Sequence, residues 1–168
     1  TILMDNFFIF CAQYFIVLPP LTVLWLFYKA PKGIRSRMFF SGILILPLTF
    51  LLGVLARKFY FDPRPFAVEY FTPLIPHTAD NGFPSDHTLL ASALAALVSL
   101  FHFRMGLMLW LVVILIAISR IYVGVHHLID IMGSIIIALI ATSLVYSVLR
   151  KIKSYNNEHG TTNTTSNQ

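Results

Sequence analysis

Charge is scarce in this chain. Asp, Glu, Lys and Arg make up 11% of its 168 residues, while 57% are hydrophobic and the mean hydropathy is +0.77. A soluble domain carries about 25% charged residues, so that class is excluded and a membrane protein is indicated. Cysteine is scarcer still. Cys11 is alone in an apolar stretch, where it reads as a small buried hydrophobe and not as a ligand or disulfide partner. Internal repeats are lacking, and so is any basic patch interleaved with aromatics, which argues against a nucleic-acid partner. The net charge of +5 reads instead as an orientation signal.

Five long apolar stretches are present, roughly 7–28, 38–57, 88–101, 107–123 and 131–149. Each is near or slightly under the ~20 residues that cross a bilayer as a helix. The third and fourth are short enough that their ends are expected to run into the polar motifs beside them. Pro19-Pro20 should kink or break the first. That stretch has no basic leader and no small-residue cleavage site after it, which disfavours a signal peptide. Lys29, Lys32, Arg35 and Arg37 lie between stretches one and two, Arg104 between three and four, and Arg150, Lys151 and Lys153 after the fifth. By the positive-inside rule these regions are cytoplasmic. The expectation is an all-α polytopic membrane bundle of about five transmembrane helices, N-terminus outside and C-terminus cytoplasmic. Residues 1–153 form its membrane-embedded domain. Residues 154–168, rich in Asn, Thr and Ser, form a disordered cytoplasmic tail.

Arg57, Lys58, Arg64 and Arg120 break the orientation rule, since all four fall at outer helix ends. Taken singly, each reads as a side chain snorkelling to the headgroups. Arg64, however, stands between Pro63 and Pro65, which stiffen the backbone around it. Pro84-Ser85-Asp86-His87 directly precedes the third apolar stretch, where Ser85 or Asp86 can cap a helix whose exposed amides suit an anion. His87 beside such a site can give or take a proton near neutral pH. His126 and Asp130 are four apart, so if the fifth helix begins near His126 they share a face and can hydrogen-bond, the arrangement of a base and its orienting carboxylate. An interfacial histidine satisfied by a neighbouring carboxylate would explain that pair if it stood alone. Three such segments meeting at one membrane face supply cations, two histidines and an orienting aspartate, the set that phosphoryl transfer requires. His127 is set aside, with headgroups or Asp62 as its expected partners. His77 and Asp80 read as solvated loop residues.

The three segments resemble the signatures of the type 2 phosphatidic acid phosphatase family of membrane lipid phosphatases, whose pocket is shared with the vanadium haloperoxidases. The third signature is matched without deviation by Ser119, Arg120, His126 and Asp130; the first by Arg64-Pro65, with Arg57 at the family's lysine position and Lys58 one residue late; the second with Asp86 in place of glycine. Pro-Ser-Asp-His, Asp-Pro-Arg-Pro-Phe and Ile75 to Asp80 are similar to the bacitracin-resistance type of undecaprenyl-diphosphate phosphatase. The resemblance implies His126 as nucleophile, Asp130 orienting it and His87 as proton donor to the leaving group. It also implies phosphate-binding roles for Arg64, Arg120, Ser85 and either Arg57 or Lys58. No metal or other cofactor is implied. The expected substrate is a lipid diphosphate, most simply undecaprenyl diphosphate, at the outer face of a bacterial plasma membrane, with membrane lipids as the other partners. Phosphatidic acid, phosphatidylglycerol phosphate or another lipid phosphate is the alternative within the fold. A metal-dependent hydrolase using His87, His126, His127 and several aspartates, or a non-enzymatic protein binding anionic lipid, is the alternative outside it.

Overall fold

The computed structural model describes residues 1–162, with side chains described through Ile152. Among the described residues it is all helix apart from turns and one isolated bridge between Pro63 and Asn81. In chain order the helices are α1 (Ile2–Tyr14), α2 (Leu18–Lys29), α3 (Lys32–Phe59), the single turn α4 (Pro65–Val68), α5 (Asp86–Ser99), α6 (Phe103–Tyr122) and α7 (Leu128–Thr162). Ile2–Lys29, Lys32–Phe59, Phe103–Tyr122 and Leu128–Ile152 are each long and apolar enough to span a membrane, and α5 is a shorter apolar helix. The expected multi-pass helical bundle is therefore what forms, with four helices of spanning length in place of about five, because α5 is only 14 residues long. Helix α7 runs on to Thr162, into the residues expected as a disordered tail, and residues 163–168 of that tail lie outside the described residues.

The break in the first span has a local cause. A 3₁₀ turn over Phe15–Val17 separates α1 from α2, and both prolines lie in the first turn of α2. There the missing proline N–H groups cost nothing, because the first turn of a helix has no acceptors for them. Pro47, by contrast, sits inside α3, whose helix continues past it.

Helix α5 is the axle of the bundle. Thr88, Leu89 and Ala91 to Val98 are buried, and α6, α7 and α3 all pack against it. Its run of Ala91, Ala93, Ala95 and Ala96 lets neighbours approach closely. Within lipid, helices associate through such packing rather than through hydrophobic expulsion. Gly42 on α3 belongs to the same logic, since a Cβ there would already touch Leu97 at 3.4 Å. The outward faces carry exposed Phe50, Leu51, Leu111, Ile114, Ile136 and Leu144. Such a surface suits acyl chains. Helix α1 is pinned to the end of α6 by Phe8 stacked on Tyr122, 4.1 Å between ring centroids, and by the Tyr122 hydroxyl donating to Asp5 at 2.8 Å.

Candidate active site

The ends of α3 and α6 and the starts of α5 and α7 meet at one end of the bundle. The link from α6 to α7 is a tight turn. Val123 N–H donates to Ser119 at 3.0 Å and Gly124 N–H to Ile121 at 2.9 Å, and Gly124 has φ +81°. A side chain there would be strained and would collide with the ring of Phe71. The turn delivers His126 just ahead of α7, with Asp130 one helical turn later.

His126 is 3% exposed and Asp130 is fully buried. His126 Nδ1 lies 3.1 Å from Asp130 Oδ2. On its other side, His126 Nε2 faces Arg64 Nη1 at 3.3 Å and Arg120 Nη2 at 3.4 Å. Guanidinium nitrogens donate and never accept. The proton is thereby assigned to Nδ1, donating to Asp130, and the lone pair to Nε2, accepting from two arginines. Burial, working against the Asp130 hydrogen bond and aided by the charges of Arg120 and Arg64, holds the imidazole below its ordinary value of 6.5. It is neutral at pH 7, which is the nucleophilic form.

Both arginines are buried, Arg64 at 6% and Arg120 at 3%. Arg64 is held from two more directions, its Nε donating to Asp80 at 2.7 Å and its Nη1 to the Val125 carbonyl at 2.9 Å. Arg120 has no carboxylate partner among the described residues, and its Nε is buried without an acceptor. A buried unpaired charge costs several kcal/mol, so this pocket favours an anion strongly. Ser85, fully buried at the N-cap position of α5, does not use its hydroxyl as a cap; its Oγ has no partner in the protein. Orphaned donors and fixed positive charge at one point are what a phosphoryl oxygen needs.

His87 lies half-buried in the first turn of α5, within electrostatic reach of Arg120 and His126. Asp86 turns outward and takes Arg57 at 2.7 Å, while Lys58 is exposed. Of the two cations offered by the sequence, Arg57 is the one whose side chain reaches the start of α5. The start of α5 is also fixed to α7, because the Ser134 hydroxyl donates to the carbonyls of Ser85 at 3.0 Å and Asp130 at 2.7 Å.

Three features were not legible as parts of the site. Asp80, read as a solvated loop residue, anchors Arg64. Burial pushes its carboxyl up, but the hydrogen bond and charge of Arg64 outweigh that and hold it below its ordinary range. His77 packs its ring 6.3 Å from that of His126, and desolvation together with Arg64 and Arg120 keeps it below its ordinary value. His127 bonds Asp62 at 2.9 Å, one of the two partners expected for it. Among the described residues, Asp62, His127 and Asp130 alone bring metal-type ligand atoms together, within 4.8 Å. That set shares His127 and two aspartates with the metal hydrolase considered from the sequence, but includes neither His87 nor His126.

Residues 37–154 match the family model of the PAP2 superfamily. The chain belongs to that superfamily. Among curated relatives it is 34% identical to the undecaprenyl-diphosphatase BcrC of Bacillus subtilis over 85% of this chain and 74% of that protein. It is 32% identical to the bacitracin transport permease protein BcrC of Bacillus licheniformis, over 83% of this chain and 68% of that one. Among solved structures, Aquifex aeolicus LpxE superposes with a TM-score of 0.71 at 29% identity, covering 86% of each chain. The protein is a membrane-embedded lipid phosphatase of this superfamily, as the resemblance in its motifs implied.

Proposed function

We propose that this PAP2 phosphatase hydrolyses the terminal phosphate of a lipid diphosphate through a phosphohistidine on His126, without a metal ion. One observation carries the reading: a buried histidine whose Nδ1 is held by a carboxylate and whose Nε2 points at two converging guanidinium groups. The phosphate oxygens take the place of Nε2 as acceptors for Arg64 and Arg120, joined by Arg57 and the Ser85 hydroxyl. The Nε2 lone pair attacks the terminal phosphorus in line. As the P–N bond forms, the bridging P–O bond breaks, and the departing oxygen takes a proton from His87. Asp130 stabilises the charge that builds on the imidazole ring. Water then attacks the phosphohistidine, giving its proton to His87. Inorganic phosphate leaves, and His126 is neutral again.

Undecaprenyl diphosphate is the substrate that the relatives' names and the Pro84-Ser85-Asp86-His87 string support best. Basic residues crowd the opposite end of the bundle, at Lys29, Lys32, Arg35, Arg37, Arg104, Arg150 and Lys151, which supports a site facing outward from a bacterial plasma membrane. The test is phosphate release in detergent with EDTA, from undecaprenyl diphosphate, phosphatidic acid and phosphatidylglycerol phosphate, comparing wild type with His126→Ala. The reading requires wild-type turnover, fastest on the diphosphate and absent in the variant. Equal turnover by His126→Ala would discard the phosphohistidine, and a faster rate on phosphatidic acid would move the substrate assignment there.

A further inference from the structure

Behind the nucleophile a second histidine and a second aspartate repeat the pairing in front of it. His127 follows His126 directly, and its Nδ1–H donates to Asp62 Oδ2 at 2.9 Å. Its backbone N–H donates to Asp130 Oδ2 at 2.9 Å, the same oxygen that accepts from His126. Asp62 belongs to the loop after α3 and is there fully committed. Its carbonyl accepts from Gly82 N–H at 2.8 Å, and its own N–H donates to Asn81 Oδ1 at 3.0 Å. Asn81 then closes the circuit. Its Oδ1 also accepts from Phe83 N–H at 3.0 Å, and its amide donates to the carbonyls of Tyr60 at 3.0 Å and Arg57 at 3.3 Å. Gly82 is pressed so close that a Cβ would stand 2.9 Å from Asp130 Oδ2.

The result is one hydrogen-bonded path from the turn that carries His126 to the strand of loop that enters Ser85 and His87. Among the described residues, Arg64, bonded to both Asp80 and Val125, and Ser134 are the other side chains that tie those segments together. The requirement for such a tie is physical. Nucleophile and proton donor come from different elements, the turn ahead of α7 and the first turn of α5, and in-line transfer tolerates little error in their separation; a misplacement of about 1 Å can cost 10²-fold in rate. Local backbone geometry cannot set that separation, since about 40 residues of chain lie between His87 and His126.

We propose that His127 and Asp62 form a positioning couple, which locks the His126–Asp130 turn to the Asn81–Phe83 loop and so fixes the nucleophile against the proton donor. The couple touches neither phosphate nor leaving group. The inference rests on His126 being the nucleophile.

The test uses the full chain in detergent with EDTA and the lipid phosphate that the wild type turns over, comparing His127→Ala, His127→Asn, Asp62→Ala, Asp62→Asn and the double alanine variant. Each alanine variant should lower kcat about 10- to 100-fold with KM moved less than about threefold. The double variant should fall no further than the worse single, within about threefold, because both remove one link. His127→Asn, which places an amide donor near the position of Nδ1, should recover most of the loss. Thermal unfolding in the same detergent identifies any variant that fails to fold. Should the alanine variants do so, Asp62→Asn, which keeps the shape and removes the charge, carries the same expectation of reduced kcat at unchanged KM. Alanine variants within about twofold of wild type, or losses that multiply in the double variant, would overturn the couple while leaving the nucleophile in place. Full turnover by His126→Ala in the same series would overturn the mechanism beneath it instead.

Discussion

Arginines stand at both ends of this bundle, and their surroundings separate two uses of the same side chain. At one end Arg64 and Arg120 are buried and converge on His126. At the other, Arg37 and Arg150 are exposed beside a cavity of about 500 Å³ lined by Phe40, Leu100, Phe101 and Leu149. Arg37 lays its guanidinium over the Phe101 ring at 5.9 Å. The second pair reaches water and headgroups on its own stems, which costs little. The first pair is denied water by the fold, and it stays charged at a cost that an anionic substrate offsets. Burial and convergence, not charge count, mark the end proposed to be catalytic.

The largest test of that contrast is at the point of convergence. His126→Ala should reduce turnover by about 10⁴-fold or more, in line with the loss of a nucleophile in other hydrolases. The protein should remain folded and bind substrate still. Next come the arginines themselves. Arg64→Ala and Arg120→Ala should each lose about 10²- to 10³-fold in kcat/KM, the scale of removing a transition-state donor. Arg37→Gln and Arg150→Gln should stay within about twofold under the same assay, because exposed charges far from the chemistry contribute little. Comparable losses at both ends would erase the distinction.

His87 gives a finer discrimination. Its alanine variant should lose about 10²- to 10⁴-fold on a lipid phosphate, and much less on p-nitrophenyl phosphate, whose leaving group needs no proton. An equal loss on both substrates would remove His87 from the proton-transfer step. The pH dependence of kcat/KM follows from His126. The neutral ring is the active form and its pKa is lowered, so the acid limb should fall below pH 6.5. Arg64→Gln removes a charge that opposes protonation, so the limb should move to higher pH. A limb unmoved or displaced downward would contradict the placement of Arg64 beside Nε2. The smallest effect is expected at Asp86→Asn. Its partner Arg57 is freed toward phosphate, so KM should fall by no more than about threefold while the thermal midpoint stays constant, since the pair is solvent-exposed.

Much of this was legible beforehand because it rests on local rules. Apolar run lengths marked the bundle, and the four-residue spacing of His126 and Asp130 pointed to their bond, although α7 begins only at Leu128 and His126 reaches Asp130 from the turn ahead of it and not from a shared helical face. Spans shifted at their starts, where polar residues were drawn in: α5 begins at Asp86 and α6 at Phe103, ahead of the apolar runs from 88 and 107. What stayed hidden depends on loop 60–83, which has no periodicity to read. Asp80 looked solvated because its partner lies 16 positions back, at Arg64. Arg57 and Lys58 were indistinguishable until the end of α3 was rotated against α5. Asn81 gave no signal at all, since an asparagine that satisfies two backbone amides resembles any loop residue. The roles implied for Ser85, His87 and the arginines agree with their positions, but position alone assigns no chemistry.

The central claim is a covalent bond from phosphorus to His126 Nε2, and rapid quenching tests it most directly. Undecaprenyl diphosphate labelled in its terminal phosphate would be mixed with enzyme, stopped in alkali within the first turnover, and the protein digested and mapped. The account predicts label on the peptide carrying His126, stable to alkali and lost in acid, and none in His126→Ala. Label that is lost in alkali, or turnover by wild type with no labelled protein at any time, would contradict it.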